Sequence, residues 1–382
     1  MTEPAPPIPA ALLLAELRRR EAEMVDALQV LVNHESPSSD PALLRAALDS
    51  VDVLLERLLG SRGRRVEAEG AAHLLWESGR PGVLVLCHVD TVWPAGTLQR
   101  WPFAVEGGRA TGPGVVDMKA GIVQALFALS ALGAPEGVRL LVTSDEEVGS
   151  PHSRTPIEEA AAGMRAALVL EAAYGGALKV ARKGAAQYTV HIAGRAAHAS
   201  EPAHGASAVL EMAMQMLDIA ALADPERGTT VTPTLAAAGT TANTVPAHAE
   251  FRVDSRAASE EELERVLRAM LALRPHLEGT EISVRGGVER APMPARISSH
   301  LFERARVLAA GLGLPPLRGA HAPGASDGQF TAALGVPTLD GLGAVGGNAH
   351  AEGEWVEVER MPERAALLAA LVQSILREPG PV

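Results

Sequence analysis

Cysteine is nearly missing from this chain. Cys87 is the single one among 382 residues, so no intrachain disulfide can form. That scarcity fits a reducing compartment, and a cytoplasmic location is the expectation. Cys87 closes a strongly apolar run and reads as a buried strand residue. Aromatic residues are only 3 % of the chain, so Leu, Val and Ala must fill the cores. An excess of positive charge is lacking too. Lys and Arg total 34 against 46 Asp and Glu, for a formal net charge of −12. A basic footprint for nucleic acid is therefore absent, and no nucleic-acid partner is expected. No apolar run is long enough to span a bilayer, so no membrane association is expected either. The opening MTEPAPPIPAALLLAEL has no basic stretch before its short apolar run, so no secretory leader is expected. Met1–Pro9 reads as a loose tail.

What is present is a set of apolar runs that end in metal-binding side chains. Pro81–Cys87 leads into His88-Val89-Asp90, and Gly114-Val115-Val116 into Asp117. Val138–Val142 leads into Asp145-Glu146-Glu147, and Ala166–Leu170 into Glu171. The runs predict strands, and ligands of open α/β sheets bind at the carboxyl ends of strands. His350 lies far downstream in the Gly-rich segment GLGAVGGNAHAEGEW, where a ring can be presented freely. One shared site rich in carboxylate and imidazole follows.

Between these runs the spacing predicts helices over Ala10–Asn33, Pro41–Leu59, Lys119–Leu132 and Thr155–Gly163. Buried strands alternating with helices predict an α/β sheet. The pattern changes near Lys183. A strand at Gln187–Ile192, a helix at Ala206–Leu222, strands at Thr232–Ala237 and Ala249–Val253, a helix near Glu260–Leu273 and a strand at Glu281–Arg285 predict an inserted α+β domain. Ala291–Ala295 reads as the return linker. From Ser298 the first pattern resumes: a helix to Gly311, the loop His321–Gly328, a helix and strand near Phe330–Leu339, and a final helix Pro362–Leu376. The expected organisation is a catalytic domain in two parts, 1–182 and 292–382, around an inserted domain, 183–291.

The chemistry follows from charge. Two neighbouring carboxylates, Glu146 and Glu147, at the end of a buried strand repel each other and are costly to keep ionised without cations. Two dications outweigh the charge of Asp117, Glu147 and Glu171 and leave Glu146 free to carry a proton. A metal lowers the pKa of bound water to about 7, and a placed carboxylate adds roughly 10²–10⁴-fold as acid or base. Asp117 offers two oxygens and can bridge two ions. Asp90, two residues after His88 on a strand, can accept the imidazole's other N–H. Each motif alone also describes something plainer: a core histidine satisfied by an aspartate, or a solvated acidic turn. Only their concurrence points to a two-metal hydrolase.

The motifs also resemble a known family. LCHVDTVWPAGTL (Leu86–Leu98), TGPGVVDMKAG (Thr111–Gly121), TSDEEVGSPHSR (Thr143–Arg154), LEAA (Leu170–Ala173), GRAAHAS (Gly194–Ser200), TANTVPAHAEFRVDSR (Thr241–Arg256) and GASDG (Gly324–Gly328) stand in the order found among the co-catalytic zinc exopeptidases and N-deacylases. With the His350 segment, GLGAVGGNAHAEGEW, they span nearly the whole chain. The nearest resemblance is to bacterial glutamate carboxypeptidases of the folate-cleaving type. It implies a zinc-exopeptidase-like catalytic domain, a mixed sheet flanked by helices, with an inserted α+β lid that forms a homodimer. It implies one zinc on His88, Asp117 and Glu171 and a second on Asp117, Glu147 and His350, with cobalt or manganese as possible substitutes. Glu146 becomes the general base, and Asp90 orients His88. His198 stabilises the oxyanion in a partner's site, and Asn243, Arg256 and Arg290 hold the substrate. A cis Asp117–Met118 peptide is implied as well.

Two positions depart from the family pattern. Met118 stands where several relatives carry a second acid, and Ala325 where a glycine is common. Both bear on substrate shape. The expected activity is release of a C-terminal amino acid of glutamate type from a small acyl-amino acid or short peptide with a free carboxylate. The alternatives are N-deacylation of the acetylornithine or succinyl-diaminopimelate type, a one-metal hydrolase, and a non-catalytic metabolite-binding relative.

Overall fold

The computed structural model describes residues 7–80 and 82–378. The chain divides into two compact units. One is Met1–Ala181, Ala295–Ala322 and Ser326–Val382; the other is Arg182–Pro294 with Pro323–Ala325.

A six-stranded sheet forms the middle of the first unit. Its order is Arg64–Ala68, Ala71–Ser78, Val138–Thr143, Val83–His88, Ala166–Val169, Thr338–Leu339. The last four strands run parallel, and the first two add an antiparallel hairpin at one edge. Every residue of Val83–His88 is buried. A strand covered on both faces reads as a continuous apolar run rather than an alternating one. Register decides what meets at the top: His88 pairs with Thr143, and Leu86 with Val169. The chain segments leading to Glu146-Glu147 and to Glu171 therefore leave the sheet beside His88.

Helices cover this sheet. Ala120–Ala131 is apolar on nearly all sides, with Ile122, Val123, Leu126, Phe127 and Leu129 fully buried. Such a helix belongs in an interior, and it packs against Pro41–Leu59 and Arg360–Arg377. Pro41–Leu59 starts where sequence analysis places it, because the Asp40 carboxylate accepts from Ala42 N (3.0 Å) and Leu43 N (3.1 Å). It stops at Gly60, whose φ of +77° suits glycine.

Three features differ from the sequence reading. The helix expected over Ala10–Asn33 is two, Ala10–Arg19 and Glu21–Val32. They meet at Arg20, whose guanidinium turns inward to Glu23 (2.9 Å), to Ser130 (3.1 Å) and over the Phe127 ring. The Met1–Pro9 tail lies outside the described residues up to Pro6. Beyond that it is tied down, since Ile8 exchanges hydrogen bonds of 2.8 and 3.0 Å with Gln373. Finally, Gly114–Val116 is not a strand. Asp117 sits in a tight helical turn, Val115–Lys119, broken at Asp117 and Met118, with a cis Asp117–Met118 peptide. Gly114 opens that turn at φ +72°, and a Cβ there would collide with the Thr91 methyl.

The second unit carries a four-stranded antiparallel sheet in the order Thr230–Ala238, His248–Ala257, Gly184–Ala193, Glu281–Arg290. Helices Ala208–Ala220 and Glu260–Leu271 pack on it. Along Gly184–Ala193, Tyr188, Val190 and Ile192 are buried and the residues between them are not. That alternation is the mark of a sheet with one covered face. Arg182 ties Pro323–Ala325 to this unit by donating to the carbonyls of Gly324 (2.8 Å) and Ala325 (3.0 Å).

Candidate metal centre

His88 is almost wholly buried at its strand end, and its two ring nitrogens face different partners. Nδ1 lies 3.1 Å from the Asp90 carbonyl and 3.4 Å from its Oδ1. Nε2 lies 3.3 Å from Asp117 Oδ1 and 3.6 Å from Glu171 Oε1. From the other side, His350 Nε2 lies 3.3 Å from Asp117 Oδ2 and 3.1 Å from Glu147 Oε2. Asp117 thus turns one oxygen to each imidazole. His88, Asp117 and Glu171 form one group of donors close enough for a single ion, and Asp117, Glu147 and His350 form the other.

The Asp90 carboxylate does more than face His88. It accepts from Glu146 N (3.2 Å), Glu147 N (3.1 Å) and Ser38 Oγ (2.7 Å). It therefore pins the acidic turn to the end of the neighbouring strand. Asp327 holds the same segment from the other direction, accepting from Thr143 Oγ1 at 3.0 Å and from Ser150 Oγ.

Electrostatics single out Glu146. Burial, opposed by His88 and reinforced by Glu171, Asp327 and Glu147, pushes its carboxyl well above the usual range. Glu147 is raised as well, by burial against a hydrogen bond from His350. Asp117 goes the other way: although burial would raise it, hydrogen bonds from His350 and His88 hold it far below the usual range. Hydrogen bonds to Asp117 and Glu147 push His350 up to about 10. Metal ligation needs these imidazoles neutral, so a cation bound between them would take the place of the protons that the carboxylates draw onto His88 and His350.

The residues fit divalent metal. Imidazole and carboxylate donors suit zinc and its neighbours in the first transition row. Glu147 Oε1 is buried with no hydrogen-bond partner, and a buried carboxylate oxygen with none is costly.

Two further side chains at this centre have little signal in the sequence. Lys179 is buried with its Nζ 3.1 Å from Glu171 Oε2, in a strand too short to stand out by pattern. Glu354 is fully buried and accepts backbone N–H groups around Asp117. Burial pushes it up to about 7. The HAEGE spacing after His350 was its only signal.

The remaining expected residues all belong to the second unit, in two pairs. His198 and Asn243 come together in a short ribbon: His198 pairs with Thr244, and Ala199 N donates to Asn243 O at 2.9 Å. Arg256 and Arg290 flank Ala185 from the two neighbouring strands. Arg290 is buried, and Arg256 forms a bidentate pair with Asp254 at 3.0 and 2.9 Å.

Comparison with known proteins gives a consistent result. The sequence model of Peptidase family M20/M25/M40 matches residues 84–374. Carboxypeptidase G2 of Pseudomonas sp. (strain RS-16) is 29 % identical over 376 residues, 92 % of this chain and 89 % of its own length. Succinyl-diaminopimelate desuccinylase of Aromatoleum aromaticum is 30 % identical over 195 residues, 45 % of this chain and 50 % of its own. Among solved structures, an M20 family metallo-carboxypeptidase, Sso-CP2 from Sulfolobus solfataricus, superposes with a TM-score of 0.72 at 17 % identity. That match covers 92 % of this chain and 99 % of the other.

Proposed function

The chain belongs to peptidase family M20/M25/M40 and is a hydrolytic enzyme, and from that premise we propose that it is a dinuclear zinc carboxypeptidase that releases a C-terminal amino acid of glutamate type from a small acyl-amino acid or peptide. The observation that carries this reading is the shared Asp117, one oxygen toward His88 and the other toward His350, with Glu146 within electrostatic reach of His88 and Glu171.

In this reading His88, Asp117 and Glu171 hold one ion, and Asp117, Glu147 and His350 the other. Bound there, the metals supply Lewis acidity toward the scissile carbonyl and bring the pKa of a water down to about 7. Glu146 takes the proton of the attacking water on its carboxylate and returns it to the leaving amine. Its raised proton affinity suits both halves of that task. Asp90 keeps His88 in one orientation and holds the turn that carries Glu146 and Glu147 in reach. The similarity to carboxypeptidase G2 over 92 % of the chain supports a carboxypeptidase, and glutamate as the released residue follows from the resemblance of the segments Asp90–Phe103 and Thr143–Arg154 to the glutamate carboxypeptidases.

His198 donates to the oxyanion, Asn243 holds the substrate, and Arg256 and Arg290 receive its carboxylate. The two pairs lie toward opposite ends of Gly184–Ala193, whose residues Ala185 and Ala193 are separated by about 26 Å of strand. One lid cannot bring both pairs to one small substrate, which supports a homodimer in which a second copy supplies one of them. The edge strand Thr230–Ala238 and the helix Ala208–Ala220 offer a surface for that contact, with Leu235 61 % and Leu217 74 % exposed. Light scattering on the eluting protein is expected to give twice the 39.7 kDa chain mass; a monomer with full activity removes the partner role of His198. Alanine at His198, Asn243, Arg256 or Arg290 tests each in turn, and an unchanged kcat/KM strikes that residue from the site.

The substrate is tested by mass spectrometry of products from one panel, with zinc and with a chelator present. The panel holds folate-type acyl-glutamates, simple dipeptides, acetylornithine and succinyl-diaminopimelate. Chelator-sensitive release of glutamate from the first group is the expected outcome. Cleavage confined to the acetyl or succinyl compounds makes the enzyme an N-deacylase instead.

A further inference from the structure

Glu354 stands four residues after His350 and is wholly buried. Its two oxygens are fully engaged, and by one segment above all. Oε1 accepts from Val116 N (2.7 Å) and Asp117 N (3.0 Å). Oε2 accepts from Gly114 N (3.1 Å) and Trp93 Nε1 (2.9 Å). The turn Gly114–Asp117 lies outside the sheet, so these inward N–H groups have no strand to pair with. One carboxylate satisfies all three.

The other end of Glu354 belongs to the turn that presents His350. Glu354 N donates to Ala351 O (3.1 Å), Ala351 N to Asn348 O (3.0 Å), and Asn348 Nδ2 to Gly353 O (3.3 Å). His350 itself sits at φ +63°, a conformation that a non-glycine residue keeps only when its surroundings impose it. Glu354 therefore joins the turn bearing Asp117 to the turn bearing His350, across 237 residues of sequence.

We propose that Glu354 is a positioning residue that sets the separation of Asp117 and His350, and with it the affinity of the Asp117–Glu147–His350 half of the metal centre. The inference rests on the dinuclear reading above. It does not extend equally to the other half. His88 and Glu171 follow neighbouring parallel strands whose register is set by the sheet, whereas His350 stands inside the loop 348–354, whose ends are fixed by the pairing of Gly346–Gly347 with Trp355–Glu357 and which Glu354 hydrogen-bonds to the Asp117 turn. Length matters as well as charge. Aspartate keeps the charge but cannot reach all four donors. Glutamine keeps the length, but whichever way its amide points, its NH₂ opposes two N–H groups.

The test is zinc titration of the metal-free full-length protein against a chromophoric chelator, for wild type, Glu354→Gln and Glu354→Asp, with thermal unfolding of each metal-free form. Wild type is expected to take two equivalents. Both variants keep the tighter equivalent within about twofold and bind the other about 10–100-fold more weakly, the span usual for groups that orient a ligand. In a His350→Ala background, Glu354→Gln is expected to cost no further zinc affinity. Two equivalents bound as in wild type overturn the proposal. So does an equal weakening of both that tracks a fall in the metal-free melting temperature, since that describes a general structural role. A wild-type affinity in Glu354→Asp shows that charge and not reach matters, and overturns it too. Should Glu354→Gln fail to fold, Trp93→Phe removes one donor and leaves the carboxylate in place; it is expected to weaken the second equivalent alone, and no change there counts against the proposal. A wild-type titration that stops at one equivalent brings down the dinuclear reading, and this one with it.

Discussion

Glu146→Gln is expected to lower kcat by about 10²–10⁴-fold, the usual contribution of a placed acid–base group, while the protein still binds its full complement of metal. The amide cannot take a proton, yet it has nearly the shape of the acid. Neither Asp90 bond to this turn is lost, because both come from backbone N–H groups. The adjacent substitution has a different signature. Glu147 faces His350 at 3.1 Å and its second oxygen is an orphan, so Glu147→Gln is expected to lose metal first and rate as a consequence. Metal content by mass spectrometry beside steady-state kinetics separates the two neighbours. Turnover that survives Glu146→Gln at full metal content would remove Glu146 as the base.

Stripping the metal is expected to abolish turnover and to lower thermal stability together. Asp117, Glu146, Glu147 and Glu171 crowd one region, and the cations nearest them are His88, His350 and Lys179. An ion bound only by the folded state, at a thousandfold over its Kd, adds about 4 kcal/mol per site. At about 2–4 °C per kcal/mol for a unit of this size, chelation of both sites should lower the melting temperature by roughly 15–30 °C. Readdition of zinc should restore both properties, with cobalt or manganese as graded substitutes. Calorimetry of the stripped and reloaded protein checks this. An unchanged melting temperature with lost activity would mean that the carboxylates are satisfied by protonation alone and that the ions bind weakly.

Much of the fold was open to reading because burial leaves a local trace. Val83–His88, Val138–Thr143 and Ala166–Val169 are continuous apolar runs, and only a strand covered on both faces needs that composition. The lid strand Gly184–Ala193 alternates because one of its faces is open. Elements without such a trace were harder. Arg64–Ala68 lies at the sheet edge with none of its residues fully buried, and nothing in its residues demands a strand. The break at Arg20 depends on Ser130 and Phe127, which stand more than a hundred residues away in the chain. Gly114–Val116 looks like a short buried strand because it is buried; its backbone is instead turned by Gly114 and held by Glu354.

The donor inventory of the centre was likewise present in the sequence, since His88, Asp117, Glu147, Glu171 and His350 all end apolar or Gly-rich segments. The chemistry available to imidazole and carboxylate is a property of residue type, and so is the need of crowded buried carboxylates for cations. Composition by itself determined that cores must be aliphatic, that no intrachain disulfide can form, and that the charge is acidic. Only the tertiary structure decided that Asp117 divides its oxygens between two imidazoles, that Asp90 grips the acidic turn, and that Glu354 clamps the Asp117 turn to the His350 turn. It also set Arg256 and Arg290 about one residue of Gly184–Ala193 and put His198 and Asn243 beyond the other end. These are distances between groups tens to hundreds of residues apart. Sheet register and loop closure set such distances, and neither leaves a mark on the residues that happen to meet.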